Sequence, residues 1–459
     1  MELYYIARPM NLCILHNRYG TTCGTATKHA QPQLRDGRGC SIIENMKTIA
    51  IIAEYNPYTK GHAHLLAEAK KVTGADRVIA VMSGNFLQRG VPAMWDKFSR
   101  AKMAAQAGID MVFELPVPYA TGSARDFAEG AVALLDSLGC VDSLCFGAED
   151  PNTELLERLA DTAANEPADY SALLKTKLTS GLSYPAAQAE ALAEYLSDKN
   201  ITDILSKPNN TLALAYITAI KKRGSHLTPV PIQRIGDYHD ETAGDTYASA
   251  TAIRTMITEA KNVTDEIAGY LPAETIDTLS RRLPKKTLFD ASLPGEDLSY
   301  LIFTAKCYRG IHGLSYAMAD RLDKTDAPMS YREYVDVLHS KDTTEATARR
   351  ALLHLMLGYT DEDRELFRAR KDALFASLLA MRNEASDLMR EIKERSTIPI
   401  IDRRAHDTKQ LTELPYELRP AAERAWELTI RATDLYRSIL FRRTKTLLAS
   451  EYMTKIPHI

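Results

Sequence analysis

Between residues 48 and 146, short apolar runs alternate with amphipathic helical stretches, and this alternation constrains the fold more than any other feature. Residues 48–54 form a near-continuous apolar run, the pattern of a parallel strand covered on both faces. Residues 62–73 place Leu65, Leu66, Ala69 and Val72 at helical spacing. Residues 77–82, 110–114 and 142–146 read as further strands, separated by helical stretches over 98–107 and 124–138. Strands alternating with helices predict an α/β fold: a Rossmann-like parallel sheet with right-handed crossovers. Helices are expected from 153 to about 195, over 211–222 and over 249–259, with one more strand over 228–235. After about Val263 the pattern is helix after helix, and no strand is expected. The expected organisation is a Rossmann-like domain over 46–270 followed by a mostly α-helical C-terminal domain over 271–459.

Residues 1–45 differ from the rest. They show no sustained helix or strand period and hold half of the six cysteines. Met46-Lys47-Thr48 then opens the first strand. The expectation is that Met46 is the natural start and that 1–45 is an over-extended reading frame. The alternative is a disordered targeting or regulatory arm. Cys13, Cys23, Cys40, Cys140, Cys145 and Cys307 are scattered, with no C-x-x-C pair, which suggests a reducing, cytoplasmic setting. No apolar run approaches the roughly 18 residues of a membrane helix. A formal net charge of −3 excludes a protein basic all over, but it leaves room for a local RNA-binding patch.

The chemistry-bearing motif follows the first strand: Glu54-Tyr55-Asn56-Pro57-Tyr58-Thr59-Lys60-Gly61-His62. Its T-x-G-H step falls where the first helix begins. A helix N-terminus offers unpaired N–H groups and a positive dipole end, which suit phosphate. Gly61 lets phosphate approach the backbone closely. His62 can donate to an α-phosphate oxygen and stabilise charge as pyrophosphate leaves. Thr59 and Lys60 add donors. From these four residues alone, an ordinary helix-start loop reads the same way; the position after a buried first strand favours the nucleotide site.

A second segment, Ala248-Ser249-Ala250-Thr251-Ala252-Ile253-Arg254, resembles the S-[ST]-T-x-x-R element that accompanies T/H-x-G-H in the same superfamily. Ser249 and Thr251 would cap a helix and face the β,γ-phosphates, with Arg254 reading them through paired N–H groups. Between the two motifs stand Met82-Ser83-Gly84-Asn85-Phe86-Leu87-Gln88-Arg89-Gly90-Val91-Pro92-Ala93, Phe113-Glu114-Leu115-Pro116, Phe146-Gly147-Ala148-Glu149, Lys207-Pro208-Asn209-Asn210 and Arg234-Ile235-Gly236-Asp237-Tyr238-His239-Asp240. With Asp434-Leu435-Tyr436, the whole set resembles the bacterial tRNA(Met) cytidine acetate ligase family, from Met46 to the C-terminus.

That resemblance implies a reaction of acetate with ATP to form acetyl-adenylate and pyrophosphate. The acetyl group then passes to N4 of the wobble cytidine of elongator tRNA(Met). ATP, with Mg²⁺, and the tRNA are the implied partners. Carried over by position, ATP would lie against Ile52, Ala53, Glu54, Tyr55, Asn56, Pro57, Tyr58, Thr59, Lys60, Gly61, His62, Ala63, His64 and Leu65. Gly147, Asn209, Arg234 and Ile235 would complete the pocket, with Ser249 and Thr251 at the phosphates. His62, Thr59, Lys60 and Arg254 are the expected catalytic groups. Thr59 stands where many relatives carry His, and Ala148 where G-S-E is common, so an imidazole and a hydroxyl are missing.

Other candidates are weaker. Arg89, in the loop with Gln88, could meet acetate or pyrophosphate, or form a structural ion pair. Lys97 and Arg100, at i and i+3, read as a solvated helix face, with contact to phosphate or tRNA as the alternative. His64 points away from His62 on a helix and reads as structural. Cys140 and Cys145 read as small core residues. The tail cations Arg403, Arg404, Arg431, Arg437, Arg442, Arg443 and Lys445 suggest an RNA-binding face, with Arg442 and Arg443 preferred. Two other functions compete: an adenylyltransferase making a nucleotide cofactor, and a non-catalytic RNA-binding protein that keeps ATP as a structural ligand.

Overall fold

The computed structural model describes residues 46–235, 247–282, 287–305, 308–369 and 373–459. The expectations for 1–45, for Gly236 to Asp240 of the fifth motif and for Cys307 fall outside these residues. Seven strands make one sheet: β1 (Thr48–Ala53), β2 (Arg77–Ser83), β3 (Met111–Leu115), β4 (Ser143–Ala148), β5 (Thr228–Gln233), β6 (Ala376–Met381) and β7 (Ile400–Ile401). Their order is β5-β4-β1-β2-β3-β6-β7. The first five are parallel neighbours, and β1 and β2 pair in register from Thr48↔Arg77 to Ala53↔Met82.

The sequence explains each placement. β1 and β2 are central and covered on both faces: Ile49, Ala50, Ile51 and Val78 to Met82 are buried. β5 reads Thr-Pro-Val-Pro-Ile-Gln, and two prolines confine a strand to an edge. Pro229 and Pro231 alternate with Val230 and Ile232, so the positions without N–H share the side turned away from β4. After β3 the chain crosses back to pair β4 with the other side of β1. This reversal makes a topological switch point between β1 and β4, where open α/β sheets bind ligands at the carboxyl ends of their strands.

The stretch after Val263 is mostly helical but not wholly so, which corrects one expectation. β6 lies antiparallel on β3, and β7 parallel on β6. Ala376-Ser377-Leu378-Leu379-Ala380-Met381 is buried at every position. Its residues are good helix formers, and a six-residue apolar run has no periodicity to separate strand from helix. The sheet is therefore completed by residues well beyond 270, and residues 45–459 form one compact unit.

A histidine pair joins the helical part to the sheet. His354 is 2 % exposed; its Nδ1 lies 2.9 Å from the His312 carbonyl and its Nε2 3.0 Å from Thr121 Oγ1, just beyond β3. Burial first, and His312 second, push its pKa down to about 3. The unfolded chain then binds a proton that the folded one refuses, so stability is full above about pH 6.5 and declines as the pH falls from there toward about 3. The expected slope is about 1.4 kcal/mol per pH unit from this one group. Urea midpoints between pH 5 and 7 should change less steeply in His354→Gln; an equal slope would remove His354 as a source.

Candidate active site

The chain leaves β1 and reaches helix α1 (Lys60–Thr73) through a turn that is pinned from several directions. Tyr55 takes a left-handed backbone with φ +46°. That conformation costs energy for a bulky residue and persists only where packing enforces it. Here the Tyr55 ring is buried 5.0 Å from Tyr58 and meets His62 edge-on at 5.1 Å. Asn56 Oδ1 accepts the Met94 N–H at 2.9 Å, and Asn56 O accepts Arg254 Nη1 at 2.9 Å.

Thr59 is the N-cap of α1. Its N–H donates to His62 Nδ1 at 3.0 Å, and its Oγ1 lies 2.9 Å from the same nitrogen. A backbone N–H can only donate, so Nδ1 is the bare nitrogen and Nε2 carries the proton; the tautomer follows from the partner. Burial, and then the Arg234 charge, push the His62 pKa down to about 3. His62 is thus a neutral donor across the whole physiological range, beside a helix N-terminus.

This ring opens on a cleft at the switch point. Thr59, Gly61, His62, His64 and Leu65 line it from α1. Gly147 at the end of β4 and Gln233, Arg234 and Ile235 at the end of β5 line it from the sheet, and Tyr247, Ala248, Ser249 and Ala250 complete it. The Arg234 side chain lies over Gly147: a Cβ there would fall 2.9 Å from Arg234 Cγ. Ser249 caps the helix Ala250–Ala260, accepting the Ala252 N–H at 3.0 Å. The two motifs, far apart in the chain, meet in one cleft. Among the described residues its lining presents N–H donors, two imidazoles and a guanidinium, and no carboxylate.

The other expected residues stand around the cleft rather than along it. Ile52 and Ala53 end β1, and Tyr55, Asn56, Pro57 and Tyr58 are buried in the supporting turn. Glu54 Oε1 accepts the Gln88 N–H at 2.7 Å, which fixes the long loop after β2. Lys60 ties its N–H to Tyr270 O at 3.1 Å. Ala63 follows on α1. Thr251 is exposed, with its hydroxyl 2.9 Å from Arg254 Nη2. Asn209 donates its amide to Glu149 Oε1 at 2.5 Å, and the Glu149 carboxylate also accepts the Asn210 N–H at 3.0 Å, capping the helix Pro208–Arg223.

Several readings are corrected. His64 lines the cleft and faces the Tyr247 ring at 6.5 Å, because the first helical turn is open to the cleft over a wide arc. Lys97 and Arg100 are fully buried, not a solvated face. Arg404 is buried as well, and so leaves the RNA-facing set. Other tail cations are engaged within the chain: Arg442 with Asp297 at 2.8 Å, Arg443 with Ser292 and Asp290, Arg431 with Glu427 and Arg437 with Asp434. Arg442 and Arg443 border a second, separate cleft with Gly295 and Tyr331. Gln233 and Tyr247 were missed, and Ala248 and Ala250, though within the second motif, were given no part in the cleft. Tyr247 adjoins the second motif, which is the signal that could have found it. Cys140 and Cys145 are buried, with thiol pKa values pushed up to about 12 by burial.

Among the described residues, no helix is long and apolar enough to cross a membrane, and no group of three or more His, Cys, Asp or Glu could hold a metal ion. Residues 46–450 match the family model described as HIGH Nucleotidyl Transferase. The chain is 34% identical over 399 residues to the tRNA(Met) cytidine acetate ligase of Acetivibrio thermocellus, an alignment covering 85% of this chain and 94% of that protein. It is 35% identical over 397 residues to the ligase of the same name from Caldanaerobacter subterraneus subsp. tengcongensis, covering 85% and 95%. Crystal structures of Thermotoga maritima TmcAL are similar at 28% identity. The apo form has a TM-score of 0.83, covering 90% of this chain and 100% of that one. The form bound with α-thio ATP has a TM-score of 0.81, covering 90% and 99%.

Proposed function

The chain belongs to the HIGH nucleotidyl transferase family, among its tRNA(Met) cytidine acetate ligases, and from that premise we propose how its cleft makes and spends acetyl-adenylate. An acetate oxygen attacks the α-phosphorus of ATP, and pyrophosphate leaves. The exocyclic N4 of the wobble cytidine in elongator tRNA(Met) then attacks the acetyl carbonyl. AMP leaves, and the amine gives up one proton. The first step asks mainly for positioning and for charge stabilisation of an in-line displacement. His62 Nε2–H and the first-turn N–H groups of α1 meet the α-phosphate. Arg234 across the cleft and Arg254 behind the turn balance the charge that moves toward pyrophosphate. Ser249 faces the outer phosphates, and Gly147 with Ile235 borders the nucleoside. Mg²⁺ bound with ATP would supply positive charge at the polyphosphate; among the described residues the cleft lining has no carboxylate to hold it.

The observation that carries this reading is the His62–Thr59 cap at the carboxyl end of β1, with Arg234 and Ser249 opposite. We place tRNA contact on the mostly helical part, 271–459, and the enzyme in the cytoplasm with its substrate. Incubation with ATP, acetate and total tRNA should yield N4-acetylcytidine, read by mass spectrometry of the digested nucleosides. Exchange of labelled pyrophosphate into ATP should depend on acetate and proceed without tRNA. Exchange without acetylcytidine would leave an adenylyltransferase of another product. No exchange with any carboxylate would overturn the reading in favour of a binding protein.

A further inference from the structure

The end of the chain reaches the catalytic face through a buried cluster of two carboxylates and two cations. Helix α2 (Lys97–Gln106) contributes Lys97, whose Nζ lies 2.8 and 2.7 Å from the oxygens of Glu114 on β3. The same nitrogen lies 3.0 and 2.9 Å from the oxygens of Glu451. Arg404 Nε donates to Glu451 Oε1 at 2.6 Å, and Thr433 Oγ1 to Oε2 at 2.6 Å. No member is more than 5 % exposed. A buried charge is tolerated only when its partners are complete, so these groups hold one another in a single arrangement.

From the cluster, hydrogen bonds run to the turn that carries the cleft. The Lys97 N–H donates to Asn85 Oδ1 at 2.9 Å. Gly84 lies so close to Glu114 that a Cβ would collide with the carboxylate. One turn along α2, Arg100 spreads its guanidinium over the carbonyl oxygens of Glu54, Ser83 and Gly84, at the ends of β1 and β2. Residue 54 opens the turn that leads to Thr59 and His62. Tyr436, from the long helix Arg419–Thr444, is buried edge-on to Phe86 in the loop after β2.

We propose that Glu451 is a positioning residue for the ATP site: by neutralising Lys97 it fixes α2, and with it Arg100, beneath the turn of residues 54–59. The last ten residues thus belong to the adenylation machinery although they lie far from the cleft in sequence. This inference rests on the ATP reaction proposed above. Positioning and mere stability have different kinetic signatures. Losing folded molecules lowers kcat at an unchanged KM, because the remaining sites bind normally; a displaced turn in folded molecules raises KM for ATP.

The test is acetate-dependent exchange of pyrophosphate into ATP by the full chain, without tRNA. Glu451→Gln should raise KM for ATP about tenfold, with kcat changed less than KM. Thr433→Val keeps all four charges and removes the hydroxyl that donates to Glu451 and accepts from Asn85 Nδ2 at 3.4 Å. It should raise KM about two- to threefold, and it decides the matter if the Gln variant does not fold. An unchanged KM in the folded variants overturns the proposal. Should the wild type show no exchange, the reaction reading fails, and equilibrium dialysis of ATP against the same proteins decides the positioning: equal Kd values overturn it.

Discussion

Replacing His62 with Ala should lower acetate-dependent pyrophosphate exchange about 10²–10³-fold, the usual consequence of removing one preorganised donor from a developing charge. The direction follows from the tautomer. With Nδ1 occupied by the Thr59 N–H, the Nε2 proton faces the cleft, and burial beside Arg234 keeps the ring neutral. Activity should therefore show no acid limb near pH 6.5 from this residue. The fold should survive. The variant leaves the Thr59 N–H without its acceptor and removes ring contacts with Tyr55 and Tyr58, worth about 1 kcal/mol, or about 1 °C in Tm for a unit of this size. His62→Gln, which keeps a donor, should recover part of the rate. Full exchange in His62→Ala, with thermal unfolding unchanged, would remove the imidazole from the mechanism.

The part of the candidate site built by adjacent residues was legible in the sequence. β1 shows as an apolar run because both its faces are covered, and T-x-G-H stands at its junction with α1, so the helix N-terminus could be located from the chain alone. Contacts made by register were not legible. Arg234 lies over Gly147 because β4 and β5 pair in parallel with Ala148 opposite Gln233, and nothing in either segment states that register. Gln233 was missed for the same reason. Lys97 and Arg100 were misread because their spacing looks like a solvated face. Burying a lysine requires carboxylates, and one of its two stands 354 positions away. β6 was missed because helix-forming residues build a strand once β3 offers an open edge.

The same distinction revises the division into a catalytic domain and a helical tRNA domain. A helical part attached only through its RNA would be removable without cost to adenylation. Instead β6 completes the sheet beside β3, Tyr436 packs on the loop after β2, and Glu451 neutralises Lys97. The amino-terminal ATP motif and the carboxyl-terminal segment are coupled through packing that local pattern cannot display.

Gly61→Ala should separate stability from ATP binding most sharply, because the two move in opposite directions. A Cβ at this position would lie 3.5 Å from Thr59 Oγ1, ordinary contact, so the protein itself does not exclude alanine. In the first turn of α1, Ala should leave Tm equal or raise it by up to about 1 °C, through lower entropy of the unfolded chain and better helix propensity. ATP binding should nevertheless weaken about 100-fold or more, since the methyl group would stand where phosphate oxygens approach the first-turn N–H groups. The demand for glycine thus comes from the ligand rather than from the backbone. Equilibrium dialysis of ATP together with a thermal melt reads both effects. Tight ATP binding by a folded Gly61→Ala protein would mean that the phosphates do not sit at this helix end, and the roles given to His62 and Arg234 would fall with it.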